Sequence, residues 1–369
     1  MDLLVVADDR TGALETAAIL ADRIGSPIGV SAWPSRPDPT GTGIAVVDLG
    51  SRHLSPIDAR ARIAALETTG RVGHKLDSTL RGNWPDELAA WAGRRPVLLV
   101  PALPEQGRTC VDGIVLDHGR PVHEGDAGSD VRRRVYSSRP AELLRGAGVH
   151  DVVELGERSA VGAWLSDPVG VAVADAESTD DIAETVAEWE GAPDDVVLAG
   201  PSAVIGAAAP DHGTRSAPPG TAGPILIACG SVHPVARAQL AEAERAGVTV
   251  TTIADDITAG RLRDAHELVL ATEIPVGDID EPLAVAAAST LAAGVDDLRR
   301  AVGLGALVVV GGDTAAAVFG RAAVSVQGTV TPGTAWATVD GFDMPVITRS
   351  GGFGSDRSLV DLVRGTLRP

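Results

Sequence analysis

Two polar clusters near the start of the sequence carry side chains suited to binding a small hydroxylated acid. The first is the adjacent carboxylate pair Asp8 and Asp9, followed by Thr11 and Gly12 after a short apolar run. The second is segment 74–83, in which seven of ten side chains are polar. Cations in such a cluster can bind a ligand carboxylate, and aspartates can bind its hydroxyls. The candidate groups of the second cluster are Lys75, Asp77, Ser78 and Arg81.

Lys75 is the single lysine among 31 basic residues. A GC-rich genome drives lysine codons towards arginine, so the remaining lysine is expected where a planar guanidinium cannot replace a compact ammonium. Chance survival is the alternative. Both clusters also have a structural alternative, because one aspartate can cap a helix and segment 74–83 can be a surface turn capped by Ser78 or Thr79. Two adjacent acids, and so many different polar groups in one segment, favour ligand binding.

A third candidate loop is segment 101–109, which directly follows the apolar run 97–100. Two prolines stiffen this loop, and Glu105 and Arg108 could point from it into a site. A proline-rich turn without a binding role would have a similar composition.

Three glycine-rich turns in the second half of the chain each lie between a predicted strand and a predicted helix. They are segments 229–233, 310–314 and 349–356. Glycines let the backbone approach phosphates closely, and the free amides of helix N-termini bind anions. The three turns together therefore predict a nucleotide site. Mg²⁺ would need only one or two carboxylates besides the phosphates, and Asp313 is the first candidate ligand.

Other common nucleotide and metal sites are not indicated. The sequence has no Gly-x-x-x-x-Gly-Lys-Ser/Thr motif, and no Gly-x-Gly-x-x-Gly follows the first strand, so neither a P-loop nor a dinucleotide fold is expected. The eight histidines are scattered and no Cys-x-x-Cys occurs, which argues against a zinc site.

The composition indicates a soluble cytoplasmic protein. The 369 residues are 44% hydrophobic but only 3% aromatic, so the cores must consist of Ala, Val, Leu and Ile. The formal net charge of −19 disfavours nucleic acid and anionic membrane surfaces as partners. No apolar run is long enough to span a membrane, the first residues lack a signal peptide's basic region, and two cysteines fit a reducing compartment.

Short apolar runs alternate with helix-length stretches along the whole chain. This alternation predicts an α/β protein with two α/β domains, whose largely parallel sheets face a central cleft. Segment 211–224 has the Pro- and Gly-rich composition of a linker. We therefore expect an N-terminal domain at residues 1–210 and a C-terminal domain at residues 225–369.

Taken in order, these motifs resemble those of the four-carbon acid sugar kinase family. The matching stretches are 7–13, 75–83, 101–109, 230–231, 311–314, 332–334 and 350–354. The resemblance implies that the first domain binds threonate, erythronate or a 3-oxo-tetronate and that the second domain binds ATP. His233 stands where relatives often have serine, and we assign it to the same site. The nucleotide contacts implied are Ser231, His233, Gly311, Gly312, Asp313, Thr314, Gly351, Gly352, Phe353 and Gly354.

The resemblance also implies how ATP and Mg²⁺ would be used. The substrate carboxylate is expected at Arg81 and Lys75, and its hydroxyls at Asp8, Asp9 and Asp77. Either Asp77 or Asp8 would orient or deprotonate the attacking hydroxyl. A homodimer is an ordinary expectation. Two other classes stay open, namely a sensor that binds an acid sugar or nucleotide without turnover, and a sugar-acid dehydrogenase or aldolase.

Overall fold

The computed structural model describes residues 3–35, 41–130, 132–157, 159–213, 216–253, 262, 264–273 and 280–368. The strands are β1 (Leu3–Ala7), β2 (Ile28–Ala32), β3 (Ile44–Asp48), β4 (Arg71–Lys75), β5 (Val97–Leu99), β6 (Arg108–Val111), β7 (Ile114–Asp117), β8 (Arg120–Pro121), β9 (Val152–Leu155), β10 (Val171–Ala174), β11 (Val197–Gly200), β12 (Ile225–Cys229), β13 (Thr249–Thr252), β14 (Glu267–Ala271), β15 (Ala306–Val310), β16 (Val324–Thr331), β17 (Thr334–Val339) and β18 (Val346–Arg349).

The α-helices are α1 (Arg10–Ile24), α2 (Pro56–Ala64), α3 (Trp84–Ala92), α4 (Pro140–Gly146), α5 (Ser159–Leu165), α6 (Thr179–Glu190), α7 (Ser202–Ala207), α8 (Pro234–Arg245), α9 (Glu281–Ala301), α10 (Gly312–Phe319) and α11 (Ser358–Asp361). Short 3₁₀ turns occupy Pro104–Gln106, Val122–Glu124 and Asp126–Ser129, and a π turn occupies Leu362–Thr366. Strands and helices alternate as the sequence predicts, and the α/β class is confirmed.

Fifteen strands form one sheet in the spatial order β13-β14-β12-β15-β18-β17-β16-β2-β3-β1-β4-β11-β5-β10-β9, and β6, β7 and β8 form a small separate sheet. In this spatial order, the first five strands (β13, β14, β12, β15 and β18) are parallel to one another and form one block. The last eight strands (β2, β3, β1, β4, β11, β5, β10 and β9) are also parallel to one another and form a second block. The hairpin of β16 and β17 joins these two parallel blocks, because β16 pairs antiparallel with β2. The sequence did not predict this junction.

The twist of the sheet explains how both blocks can serve one cleft. The antiparallel junction makes the blocks run in opposite directions, so a flat sheet would place their carboxyl ends at opposite edges. Seven strand-to-strand steps separate β12 from β1. A twist of roughly 20–25° per step adds up to roughly 140–175°, which turns the two sets of carboxyl ends towards the same side.

One hydrophobic cluster extends across both halves of the chain. It contains Leu14 and Leu20 of α1 together with Val324 and Val326 of β16. As the composition predicts, the core consists mainly of Ala, Val, Leu and Ile. The halves therefore share one core and one sheet.

A buried polar network fixes strand β4 against helix α3. Trp91 Nε1 donates to His74 Nδ1 at 3.1 Å, so His74 Nε2 carries the proton that faces Glu87 Oε2, also at 3.1 Å. All three side chains are fully buried. These hydrogen bonds orient the strand that ends at Lys75, although the other carboxylate oxygen of Glu87 has no hydrogen-bond partner among the described residues.

Helix α1 begins at Arg10, because Asp9 caps it and accepts a hydrogen bond from Gly12 N at 2.9 Å. Within the helix, Arg10 turns away from the ligand side. Its Nε donates to Asp48 at 2.7 Å and its second amino group donates to the carbonyl of Gly320, which ends α10. Arg10 thus joins the first half of the chain to the second.

Between α7 and β12, the described residues form neither helix nor strand. This stretch packs on both halves, since His212 N donates to Arg23 O and Trp336 Nε1 donates to Ser216 O. Within the described ranges, no helix combines the length and the apolar character that crossing a bilayer requires.

Candidate functional site

A cavity of about 950 Å³ lies where loops from the carboxyl ends of both parallel blocks meet. Three of the predicted site residues, Asp8, Glu105 and Gly354, are not part of its lining. The predicted residues that line it are Asp9, Thr11, Lys75, Asp77, Ser78, Arg81, Arg108, Ser231, His233, Gly311, Gly312, Asp313, Thr314, Gly351, Gly352 and Phe353.

Arg52 organises the acidic side of the cavity. Its guanidinium donates twice to Asp8, at 2.7 and 2.8 Å, and once to Asp9 at 2.9 Å. The same group lies 3.8 Å from Asp77. These contacts arise because β1 lies between β3 and β4, so the loops that follow the three strands are neighbours.

Asp8 lies beneath the cavity wall. Its side chain is fully buried, and both carboxylate oxygens face Arg52. Burial raises the pKa of Asp8 to about 6, although the Arg52 charge opposes this shift. The sequence places Asp8 at a substrate hydroxyl, but in the structure its contact is to Arg52.

Asp77 faces the cavity but is also held. Arg81 forms a fork on it, with Nε at 3.1 Å and an amino group at 2.8 Å, and Thr79 donates from its backbone amide and its hydroxyl. Burial alone would raise the pKa of Asp77, but Arg81 and Arg52 outweigh burial and hold the pKa well below its usual range. Asp77 is therefore a permanent carboxylate, and Arg81, which also contacts Asp130 at 3.4 Å, is largely committed to it.

Lys75 presents a different kind of cation to the cavity. Its side chain is buried and lines the wall, and no hydrogen bond or ion pair of its ammonium is found in the described part of the chain. Space for it exists because residue 12 is glycine: a Cβ there would lie 2.8 Å from Lys75 Nζ and 2.7 Å from Asp9 Oδ1. Lys75 is thus available to an anionic ligand.

Glu15 and Ser202 form a corner of the cavity that the sequence analysis missed. The Ser202 hydroxyl donates to Glu15 at 3.1 Å, and both residues line the wall. Burial raises the pKa of Glu15, while the charge of Lys75 lowers it. Glu15 adds an acceptor for hydroxyl groups close to the lysine.

The glycine-rich turns of the second half interlock through contacts that a side chain would block. Gly230 N donates to Thr314 Oγ1, and a Cβ on Gly230 would lie 2.4 Å from that oxygen. A Cβ on Gly351 would lie 2.1 Å from Ser231 Oγ. His233 does not point freely into the site, because its Nδ1 accepts from Val235 N and caps α8.

Helix α10 presents an uncapped N-terminus to the cavity. Its N-cap residue, Gly311, has a φ of 104°, which other residues rarely adopt, and provides no side-chain cap. Gly311, Gly312, Asp313 and Thr314 all line the cavity. Unsatisfied amides at a helix N-terminus attract anions such as phosphate.

The two walls touch at several points. A Cβ on Gly312 would lie 2.8 Å from Asp9 Oδ2, so this glycine permits the nucleotide-type turn to approach the acidic turn. The Arg108 guanidinium lies 5.7 Å from the centre of the Phe353 ring. Arg132, from the first half, donates to Asp313 at 2.6 Å. A ligand on one wall is therefore within reach of a ligand on the other.

Arg52, His53 and Arg132 are further lining residues that the sequence analysis did not single out. A signal for Arg52 and His53 was present, because Ser51, Arg52 and His53 form a polar run just after the predicted strand 44–48. Burial, reinforced by the charge of Arg132, lowers the pKa of His53 to about 4, so His53 is neutral near pH 7.

No group of three or more His, Cys, Asp or Glu side chains that could hold a metal ion is found among the described residues. A divalent cation would therefore depend on a bound ligand for some of its coordination. Asp313, which is 57% exposed and ion-paired with Arg132, is the carboxylate at the phosphate-type turn.

Two family models match the chain. Residues 3–208 match a sugar-binding N-terminal domain, and residues 226–359 match a nucleotide-binding C-terminal domain. The D-threonate kinase of Salmonella typhimurium is 29% identical over 98% of this chain and 97% of its own length. The D-threonate kinase of Bordetella bronchiseptica is 29% identical over 96% of this chain and 95% of its own. The D-erythronate kinase of Heliobacterium modesticaldum is 28% identical over 41% of this chain and 37% of its own.

Two solved structures share the fold. A Salmonella typhimurium protein described as a tRNA synthase superposes with a TM-score of 0.77 at 18% identity and covers 99% of both chains. A Haemophilus influenzae protein superposes with a TM-score of 0.66 at 16% identity and covers 96% of this chain and 97% of its own. At these identities the likeness establishes the fold.

The raised pKa of Asp8 predicts a pH-dependent stability. The folded state binds this proton more tightly than the unfolded state, whose pKa is near 3.8. The stabilisation is complete below about pH 4 and is lost as the pH rises through about 6. We expect the unfolding free energy of the wild type, relative to Asp8→Asn, to decline across this window in urea titrations.

Asp167→Asn, at an exposed position, corrects this comparison for the loss of one negative charge. A wild-type to Asp8→Asn difference that stays constant from pH 4 to 7 would contradict the predicted ionisation of Asp8.

Proposed function

Because this chain belongs to the four-carbon acid sugar kinase family, we propose that it transfers the γ-phosphoryl group of ATP to a hydroxyl of a four-carbon sugar acid. The observation that carries the proposal is the single cavity with two kinds of wall. Its first-half wall offers an ammonium and several carboxylates, and its second-half wall offers glycine turns and a helix N-terminus. The close approach of Gly312 to the Asp9 turn, which leaves no room for a Cβ, supports transfer between adjacent ligands.

The substrate carboxylate binds Lys75 rather than Arg81 in this proposal. Arg81 is held by the buried Asp77, whereas the ammonium of Lys75 lies in the wall beside Gly12. Asp9, Glu15 and Asp77 are then placed to accept hydrogen bonds from substrate hydroxyls. A substrate carboxylate would give the ammonium of Lys75 an ion-pair partner.

Asp77 is the residue that orients the attacking hydroxyl. Of the two candidates from the sequence, Asp77 lines the cavity and Asp8 lies beneath the wall. The low pKa of Asp77 makes it a weak base, but phosphoryl transfer passes through a loose transition state and needs positioning and charge stabilisation more than early proton removal. Asp8 acts instead through Arg52, as a positioning residue.

ATP places its phosphates on the turns around Gly230, Gly311 and Gly351, and its base against the apolar face of α9. That face contributes Leu283, Ala284, Ala287 and Ala288 to the cavity lining. Small alanine side chains leave room for a planar ring, and the base gains by burial of apolar surface.

Mg²⁺ fits the oxygen donors at Asp313, because this ion takes one or two carboxylates together with phosphate oxygens and water. When bound, it would neutralise charge on the phosphates during transfer. Asp313 would hold the ion, while the amides at the start of α10 bind the phosphate oxygens themselves. The homodimer remains a prediction.

The proposal is tested by ADP release in a coupled assay with Mg²⁺ and ATP against a panel of four-carbon acids. The panel contains D- and L-threonate, D- and L-erythronate and the 3-oxo-tetronates, with glycerate and gluconate as size controls. We expect turnover on a four-carbon acid, with D-threonate as the first choice because the relatives matched along their full length are D-threonate kinases. ADP release on none of these acids, by protein that binds ATP, would contradict the proposed substrate class.

The role of Asp77 predicts that Asp77→Asn loses most turnover while ATP binding persists. The amide keeps the size of the side chain but loses the charge that orients the hydroxyl, and it also weakens the fork with Arg81. We expect a fall in kcat of about 10²-fold or more, measured with calorimetric ATP binding on the same preparation. Normal turnover in Asp77→Asn would overturn the assignment.

The position of Lys75 predicts that Gly12→Ala raises the KM for the acid. The added methyl group would meet Lys75 Nζ and Asp9 Oδ1 below 3 Å, so the ammonium must move. We expect the KM for ATP to change much less. Gly146→Ala is the matched control, because a Cβ there meets nothing within 4 Å on an exposed helix end. An unchanged KM for the acid in Gly12→Ala would contradict carboxylate binding at Lys75.

A further inference from the structure

Arg132 connects the two walls of the cavity through ion pairs with the second half of the chain. One amino group of its guanidinium donates to Asp313 Oδ2 at 2.6 Å, and the other donates to Glu281 Oε2 at 2.5 Å. The Arg132 side chain is 16% exposed, while those of Asp313 and Glu281 are 57% and 51% exposed. Arg132 also belongs to the cavity lining.

The position of these ion pairs coincides with the expected position of the phosphates. Asp313 lies in the first turn of α10, beside the uncapped amides that follow Gly311, and Glu281 is the first residue of α9. A guanidinium held there is a planar fork of donors at a place prepared for a polyanion. Arg132 therefore faces the phosphate side of the cavity, although it comes from the first half.

The partners of Arg132 differ from those of Arg52 and Arg81, two further arginines of the cavity lining. Arg52 is tied to Asp8, which is fully buried, and Arg81 is tied to Asp77, which is nearly so. Asp313 and Glu281 are both more than half exposed. Ion pairs with exposed carboxylates contribute little to stability, so Arg132 can exchange its partners at low cost, whereas Arg52 and Arg81 cannot.

We propose that Arg132 is a catalytic residue that leaves Asp313 and Glu281 and binds the transferred phosphoryl group. This inference rests on the proposed kinase function and assigns a residue to its transition state. In the transfer, the substrate hydroxyl oxygen forms a bond to the γ-phosphorus and the bond from that phosphorus to the bridging oxygen of ADP breaks. The electron pair of the broken bond stays on ADP, and the hydroxyl proton is released to solvent late in the transfer, while Asp77 stays ionised and orients the hydroxyl. Arg132 donates to the non-bridging oxygens of the phosphoryl group in the transition state.

The exchange also releases the carboxylate of Asp313. In the structure this carboxylate is paired with Arg132. Once Arg132 has moved to the phosphoryl group, Asp313 is free to hold the divalent cation. One movement thus prepares both the cation site and the stabilisation of the transition state.

The first test compares Arg132→Ala and Arg132→Lys with the wild type in steady-state kinetics. Loss of a preorganised donor to the transition state lowers kcat by about 10²- to 10³-fold, and we expect this for Arg132→Ala with a much smaller change in the KM for ATP. Arg132→Lys keeps the charge without the fork and should be intermediate. Arg134→Ala is the matched control, since Arg134 lies over the ring of Tyr136 outside this cavity. Wild-type kcat in Arg132→Ala would overturn the proposal.

The second test separates transition-state binding from a mere link between the walls. Calorimetry measures the affinity for Mg·ADP alone and for Mg·ADP with aluminium fluoride, which mimics the phosphoryl group in the transition state. Arg132→Ala should lose the extra affinity that aluminium fluoride gives the wild type, while Glu281→Gln should keep it. If Arg132 only links the walls, both variants will alter Mg·ADP binding alike and retain the gain from fluoride, and the proposal fails.

The second test is informative about Arg132 even where the acid panel yields no substrate, because it needs no acid. If none of the acids releases ADP but the extra affinity given by aluminium fluoride depends on Arg132, the four-carbon substrate class is contradicted and the role of Arg132 is supported. If a four-carbon acid is turned over but the extra affinity given by aluminium fluoride is the same without Arg132, the substrate class is supported and the role of Arg132 is contradicted.

Discussion

The acidic side of this cleft depends on one guanidinium. Asp8, Asp9 and Asp77 lie at the ends of two neighbouring strands, and three carboxylates this close in a buried site would repel one another strongly. Arg52 contacts all three, so its positive charge offsets this repulsion and its hydrogen bonds fix Asp8 and Asp9 in place. Breaking a buried pair of this kind leaves an uncompensated charge. The geometry of the substrate side therefore follows from the loop after β3, although that loop supplies none of the acids.

The second constraint is the junction between the two parallel blocks. Pairing of β2 with β16 makes a single sheet and a shared core, and Arg10 and the α1 cap lie beside this junction. Because the blocks run in opposite directions, only the accumulated twist brings their carboxyl ends together. The proposed transfer between the two halves thus depends on the twist of the whole sheet and on no single strand or loop.

The third constraint is electrostatic. A chain of net charge −19 has to bind two anionic ligands side by side. The cavity meets this demand with three kinds of positive group: arginines paired with buried acids, the ammonium of Lys75, and the uncapped N-terminus of α10. The paired arginines fix the acids, while the ammonium and the helix amides remain available to ligands. Arg132 is ion-paired like Arg52 and Arg81, but its partners Asp313 and Glu281 are exposed, so it can exchange them for a ligand.

The local elements of this protein were determined by its sequence. The alternation of apolar runs and helices predicted the α/β class, and strand-turn-helix patterns predicted the three glycine turns. The polar composition of segment 74–83 singled out Lys75 and Asp77, and the structure brings both to the same cavity as the glycine turns. These features depend on contacts between residues near in sequence. Only the tertiary structure decided which charges meet: that Asp8 is covered by Arg52, that Arg81 is held by Asp77, and that Arg132 reaches Asp313 across 181 positions. Ion-pair partners depend on strand order and sheet twist, which bring together residues far apart in sequence, and a single sequence leaves both undetermined.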